Sequence, residues 1–141
     1  MTIVVGYVPT PEGESAVEAA IDESMRRDEP LLVVNSTRGE AYVDQRFASD
    51  AQLEAVRGRL DDAGIRYDVV QRVRGRDAAE EVVGAAITSH ASLIVIGIRR
   101  RTPTGKLVFG STAQRILLDA TCPVLAVKAS SVASAPVGIS P

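Results

Sequence analysis

The chain has 141 residues, of which 45% are hydrophobic, enough apolar material for one domain with a sizeable buried core. Its 16 basic and 18 acidic side chains are mixed along the sequence and give a net charge of -2, so no overall field attracts nucleic acid or an anionic membrane. The one cysteine, Cys122, excludes an internal disulfide, and no apolar run approaches the roughly 20 residues that span a bilayer, so a soluble protein in the reducing cytoplasm is expected.

Five short segments rich in β-branched residues predict strands. The first, second, fourth and fifth are almost continuously apolar, which is typical of strands that are covered by helices on both faces. This pattern indicates a parallel sheet. The predicted strands are Thr2–Val5, Leu31–Val34, Tyr67–Val73, Leu93–Ile98 and Val124–Val127.

Four segments between these strands place apolar residues at helical spacing. The second has an N-cap candidate at Ser49 and a stop signal at Gly64, and the third has acidic residues in its first turn, where they complement the helix dipole. The predicted helices are Glu14–Arg27, Asp50–Ala63, Asp77–Ser89 and Thr112–Leu118.

The alternation of strands and helices predicts a three-layer α/β/α fold with an open sheet of five parallel strands in the order 3-2-1-4-5 and four helices. A closed barrel is excluded because it would need eight such units. The domain is expected to cover residues 1–128. Residues 129–141 are rich in Ala, Ser and Pro and are predicted to form a disordered tail.

In an open parallel sheet, ligands bind beyond the carboxyl ends of the strands, where the strand order reverses. The loop after the fourth strand begins at Gly97, contains Arg99 and Arg100, and ends at Ser111 and Thr112 on a helix N-terminus. Free backbone N–H groups, hydroxyls and basic side chains together favour an anion such as phosphate. Each residue taken singly also has a purely structural explanation: Gly97 can end a strand, Ser111 can be an N-cap, and the arginines can be solvated loop residues. A Walker P-loop is excluded, because the required glycine and hydroxyl residues are missing around Lys106.

The same loop matches the spacing of a known motif, in which a glycine, two residues, a second glycine and nine residues precede a glycine followed by Ser or Thr. Gly97, Gly110 and Ser111 fall in register with this motif. The segments Gly110–Leu117 and Cys122–Val127 look like the final helix start and the last strand of the same proteins. Over residues 2–128 the chain therefore resembles the universal stress protein family.

The resemblance implies a regulatory stress-response protein that binds ATP or a related adenine nucleotide, with magnesium as the ion that would accompany it. It also implies a homodimer. The apolar strand Val124–Val127 favours the same conclusion, since it would lie at a sheet edge that needs a partner.

The chain departs from the family's motif in two places. Arg100 replaces the second glycine, and Tyr7, Val8 and Pro9 stand where nucleotide-binding members carry an Asp that contacts the nucleotide. The backbone of Val8 and Pro9, or the side chain of Asn35, is a candidate substitute, although an Asn at this point is also typical of a turn. A family member that has lost nucleotide binding and acts through protein contacts is the alternative.

Catalysis is not expected. Phosphoryl transfer needs a carboxylate that holds a metal ion, and the segment from Gly97 to Thr112 contains no Asp or Glu. The single histidine, His90, is predicted to interact with a helix C-terminus, and Cys122 is predicted to be a small buried hydrophobic residue instead of a nucleophile.

Overall fold

A computed structural model describes residues 1–37, 48–73, 77–99 and 110–129 of the chain. Its five strands are all parallel and lie in the order β3-β2-β1-β4-β5, which confirms the predicted sheet. The elements are β1 Thr2–Gly6, α1 Pro11–Arg27, β2 Leu31–Thr37, α2 Asp50–Ala63, β3 Tyr67–Val73, α3 Ala78–Thr88, β4 Ala91–Ile98, α4 Ser111–Asp119 and β5 Val124–Lys128.

Two hydrophobic cores lie on opposite faces of the sheet. Successive side chains of a strand point to opposite faces, so Ile3 and Val5 of β1 enter one core while Val4 enters the other. Helices α1 and α2 cover the first core, to which they contribute Val17 and Leu60 among others. Helices α3 and α4 cover the second core. The sheet is therefore the middle layer of three, as the sequence predicts.

Of the four helices in the described ranges, three are capped by side chains at their N-termini. Thr10 accepts a hydrogen bond from the Gly13 N–H at 3.1 Å, and Ser49 and Asp77 each form a capping box with the residue three positions later. Helix α1 begins at Pro11, three residues before the predicted start, because Thr10 caps it and proline suits the first helical position. Gly64 ends α2 in the left-handed conformation, as predicted.

The first turn of α1 makes unusually close backbone contacts. A Cβ atom placed on Gly13 would lie 1.7 Å from the carbonyl oxygen of Val8, so only glycine fits between α1 and the loop after β1. This contact fixes the start of α1 against the carboxyl end of the sheet.

The tail predicted to be disordered falls, from residue 130 onward, outside the described residues. Within the parts of the chain that are described, no helix has both the length and the hydropathy needed to cross a membrane.

We expect Gly13→Ala to lower the free energy of unfolding by ~3 kcal/mol, because the new methyl group must displace the Val8 carbonyl. Gly58→Ala is the matched control: Gly58 is an exposed helical residue with no described atom within 4 Å of an added Cβ. It should raise the free energy of unfolding by ~0.5–1 kcal/mol. Urea unfolding measures both changes, and an unchanged midpoint for Gly13→Ala would contradict the packing described above.

Candidate functional site

The strand order reverses between β1 and β4, and their carboxyl ends lie side by side. Gly6 of β1 is paired with Ile96 of β4, so the loops that follow the two strands leave the sheet as neighbours. Helix α1 begins after one loop and α4 after the other. We call the space between these two loops and the two helix starts the crevice. The adjacency that the predicted site requires is present.

The N-terminus of α4 carries no side-chain cap. Gly110 occupies the N-cap position, and the first helical hydrogen bond runs from the Gln114 N–H to the Gly110 carbonyl at 3.0 Å. The N–H groups of Ser111, Thr112 and Ala113 precede that bond, and the first turn contains no acidic residue. Among the helices in the described ranges, α4 differs in this respect from α1, α2 and α3. Among the described residues, nothing accepts a hydrogen bond from these donors, and no acidic side chain of the first turn offsets the helix dipole.

The two motif glycines differ in whether the packing of the described chain requires a glycine at their positions. A Cβ on Gly97 would lie 2.4 Å from the carbonyl oxygen of Glu12, so the first turn of α1 requires a glycine at this point of β4. Gly110 has a φ of −69°, and no described atom lies within 4 Å of a Cβ built there. The packing of the described chain does not require a glycine at Gly110, where the backbone is open to solvent.

Basic charge lies at the β4 side of the crevice. Arg99 follows β4 directly and is exposed. Ser111 is exposed and Thr112 is half-buried at the start of α4. Arg100, the residue that departs from the family's motif, lies outside the described residues.

The loop after β1 is apolar and internally bonded. Val8 and Pro9 are half-buried, and the Val8 carbonyl accepts a hydrogen bond from the Thr10 N–H at 2.8 Å. Proline has no N–H, so Pro9 offers a ligand only its carbonyl and its ring. Tyr7 is 1% exposed and donates its hydroxyl to Glu14 at 2.6 Å. Burial and the nearby Glu14 carboxylate raise the pKa of the Tyr7 phenol above its ordinary value.

Asn35 lies within β2, so the expectation of a turn residue is wrong. Its side chain is fully buried and donates to the Tyr7 carbonyl at 2.9 Å. Its amide oxygen accepts from the Ala48 N–H and from the Gln71 side chain, both at 2.9 Å. Asn35 thus joins the β1 loop, the chain before α2 and β3. A polar residue inside an apolar strand run is the sequence signal of such a buried link.

Two further contacts were not foreseen from the sequence. Arg59 of α2 donates to the Glu14 carboxylate at 2.6 Å and to the Glu14 carbonyl at 3.3 Å, and so ties α2 to the first turn of α1. Arg115 of α4 donates a hydrogen bond to the Asp77 carboxylate at 2.7 Å. Asp77 is also the residue that caps α3, so this contact links the starts of α3 and α4. These partners are 45 and 38 positions apart, so local patterns give no sign of them.

The single histidine and the single cysteine both lie outside the crevice. His90 is exposed just beyond α3, in the left-handed region with a φ of 56°. Cys122 precedes β5 and is half-buried against the core beneath α3 and α4, and burial raises the pKa of its thiol, which disfavours the thiolate. In the described ranges, no three potential metal ligands of the His, Cys, Asp or Glu type cluster together.

Comparison with known proteins gives consistent matches over most of the chain. The family model described as "Universal stress protein family" matches residues 1–128. A universal stress protein of Mycolicibacterium smegmatis is 52% identical over 126 residues, which are 89% of this chain and 96% of the relative.

Two solved structures from Archaeoglobus fulgidus are similar in fold and sequence. One universal stress protein has a TM-score of 0.78 and 32% identity, and the match covers 91% of this chain and 98% of that protein. The structure of a universal stress protein in complex with dAMP has a TM-score of 0.73 and 27% identity, with the same coverage of 91% and 98%.

Proposed function

We propose that this chain, which belongs to the universal stress protein family, binds ATP or a related adenine nucleotide in the crevice and acts in the cytoplasm as a regulatory protein. The observation that carries this proposal is the uncapped N-terminus of α4 at the switch point of the sheet. Three backbone N–H groups there have no acceptor in the described part of the chain and can donate to phosphate oxygens.

Charge and space at the β4 side of the crevice support a phosphate at this position. Arg99 contributes positive charge, and the Ser111 hydroxyl is exposed beside the free N–H groups. The open backbone at Gly110 permits close approach of a ligand. Because the first turn of α4 contains no acidic side chain, no carboxylate of that turn competes with an incoming anion.

The base and ribose would lie toward the loop after β1. Val8 and Pro9 offer apolar surface, and the A. fulgidus relative with bound dAMP supports an adenine nucleotide as the ligand class. Tyr7 and Asn35 are engaged within the protein, so neither side chain is assigned a contact with the base. A magnesium ion that enters with ATP would take its ligands from the phosphates and water. The protein's own role is binding, without a catalytic residue.

Ser111→Asp is expected to change stability and binding in opposite directions. A carboxylate in the first turn of α4 complements the helix dipole and should raise the free energy of unfolding by ~0.3–1 kcal/mol. The same charge repels phosphate and should weaken binding of ATP and AMP about tenfold or more, the factor that ~1.4 kcal/mol represents. Calorimetry and thermal unfolding measure the two effects.

Ala55→Asp is the control, because Ala55 is exposed on α2, on the opposite face of the sheet, and the substitution adds the same charge. It should leave nucleotide affinity unchanged. Absence of binding of ATP, AMP and cyclic AMP by the wild-type protein would refute the proposal and favour the alternative of a family member that acts through protein contacts alone.

We also propose that the protein forms a homodimer through β5. This strand lies at one edge of the sheet, and all four residues of Val124–Val127 are only half-buried. Ile94 donates to the Pro123 carbonyl at 3.0 Å, and because backbone groups alternate in direction along a strand, the N–H and C=O groups of Val124 and Ala126 face the outer edge. A second copy can pair with these groups.

Ala126→Pro should convert the dimer to a monomer at micromolar concentration. The substitution removes an outward-facing N–H and leaves the hydrogen bonds to β4 in place. Leu118→Ala, which shortens an exposed side chain of α4 and leaves the strand edge intact, should remain dimeric. Sedimentation equilibrium decides between these states, and a wild-type protein that is monomeric at the same concentration would disprove the proposed dimer.

A further inference from the structure

The first turn of α1 forms one wall of the crevice, and its closest contacts with β4 and with the loop after β1 are made by backbone atoms. The Gly97 Cα lies against the Glu12 carbonyl on the β4 side, and the Gly13 Cα lies against the Val8 carbonyl on the β1 side. Backbone touches backbone at both places. A small displacement of this turn therefore changes the width of the crevice directly, since the nearest atoms at both places are backbone atoms, which no change of rotamer can move aside.

A chain of buried and half-buried hydrogen bonds holds this turn in place. The Tyr7 phenol donates to one carboxylate oxygen of Glu14 at 2.6 Å, and Arg59 donates to the other at 2.6 Å. Arg59 also reaches the Glu14 carbonyl at 3.3 Å, so α2 holds both the side chain and the backbone of the same residue. Both bonds to the carboxylate involve a charged group, which makes them stronger than neutral hydrogen bonds.

The other end of Tyr7 is held as well. Its carbonyl accepts the Asn35 amide at 2.9 Å, and its N–H donates to the Val34 carbonyl at 2.9 Å. Tyr7 thus connects β2 to the first turn of α1 through a side chain that is 1% exposed. We refer to this chain of contacts as the Tyr7 network. Its members are Asn35, Tyr7, Glu14 and Arg59.

We propose that the Tyr7 network is a positioning network that sets the affinity of the crevice for its ligand, an inference that rests on the proposed function. None of its side chains is assigned a contact with the nucleotide. The network fixes the first turn of α1 against β4, and this keeps the wall of the crevice at the spacing that the ligand requires. Burial and the Glu14 carboxylate raise the pKa of the phenol, so it remains a donor in more alkaline solution than an exposed tyrosine would.

Tyr7→Phe tests the proposal, because it removes one oxygen atom and keeps the aromatic ring in the core. Tyr67→Phe is a matched control: the Tyr67 hydroxyl donates to Asp61 at 2.8 Å, also a tyrosine–carboxylate bond, at the amino end of β3 and away from the crevice. Tyr7→Phe should weaken AMP and ATP binding about fivefold or more, a typical effect of a residue that acts through its neighbours. Tyr67→Phe should bind as the wild type does.

Amide hydrogen exchange in the absence of nucleotide provides a second, independent measurement. In Tyr7→Phe the amides of Gly97 and Glu14 should exchange faster, relative to the Val4 amide in the central strand, which reports global unfolding. Arg59→Lys keeps the positive charge but loses the bidentate contact with the carboxylate and the carbonyl of Glu14. It should show the same faster local exchange, and it replaces Tyr7→Phe as the test variant if Tyr7→Phe fails to fold.

The outcomes separate this inference from the proposed function. If the wild-type protein binds nucleotide, equal affinity of Tyr7→Phe and Tyr67→Phe overturns the positioning network, whatever the exchange rates. If the wild-type protein binds no nucleotide, the proposed function fails and the network's role in affinity fails with it; hydrogen exchange then reports only whether the network holds the first turn of α1 in place.

Discussion

The contact between the first turn of α1 and the carboxyl ends of β1 and β4 is the constraint on which the crevice depends. Two glycines, Gly13 and Gly97, permit backbone to lie against backbone there, and a Cβ at either position would overlap a carbonyl group. Since α1 packs across the central strands, its start has little freedom once these contacts form. The remainder of the site is arranged around this fixed turn.

The crevice has two different sides. On the β1 side the polar groups of Tyr7 and Asn35 are bonded within the protein, and the adjoining loop is apolar. On the β4 side the start of α4 has N–H groups without an acceptor among the described residues, the exposed residue Ser111 and the neighbouring Arg99. This division suits a ligand with one charged end and one flat, largely apolar end. An adenine nucleotide has both features, which is why the proposal names that class.

The sequence was sufficient to predict the sheet, its strand order and the place where a site would form. Strand and helix periods are local properties, and the alternation of elements predicts a parallel, doubly wound sheet. The roles of Asn35, Glu14 and Arg59 could not be predicted, because each depends on partners that only the folded chain brings together. Gly97 is a mixed case: its position was predicted from a motif, but its structural reason is the contact with Glu12.

The most direct test of a nucleotide site in the crevice is a titration of the ¹⁵N-labelled protein with AMP and with ATP, followed by NMR. The account predicts that the amide signals of Gly97, Ser111 and Thr112 shift most. It predicts no shift at Gly64 and Ile65, which line a shallow depression at the opposite end of the sheet. Shifts centred on that depression, or no shifts at millimolar nucleotide, would contradict the account.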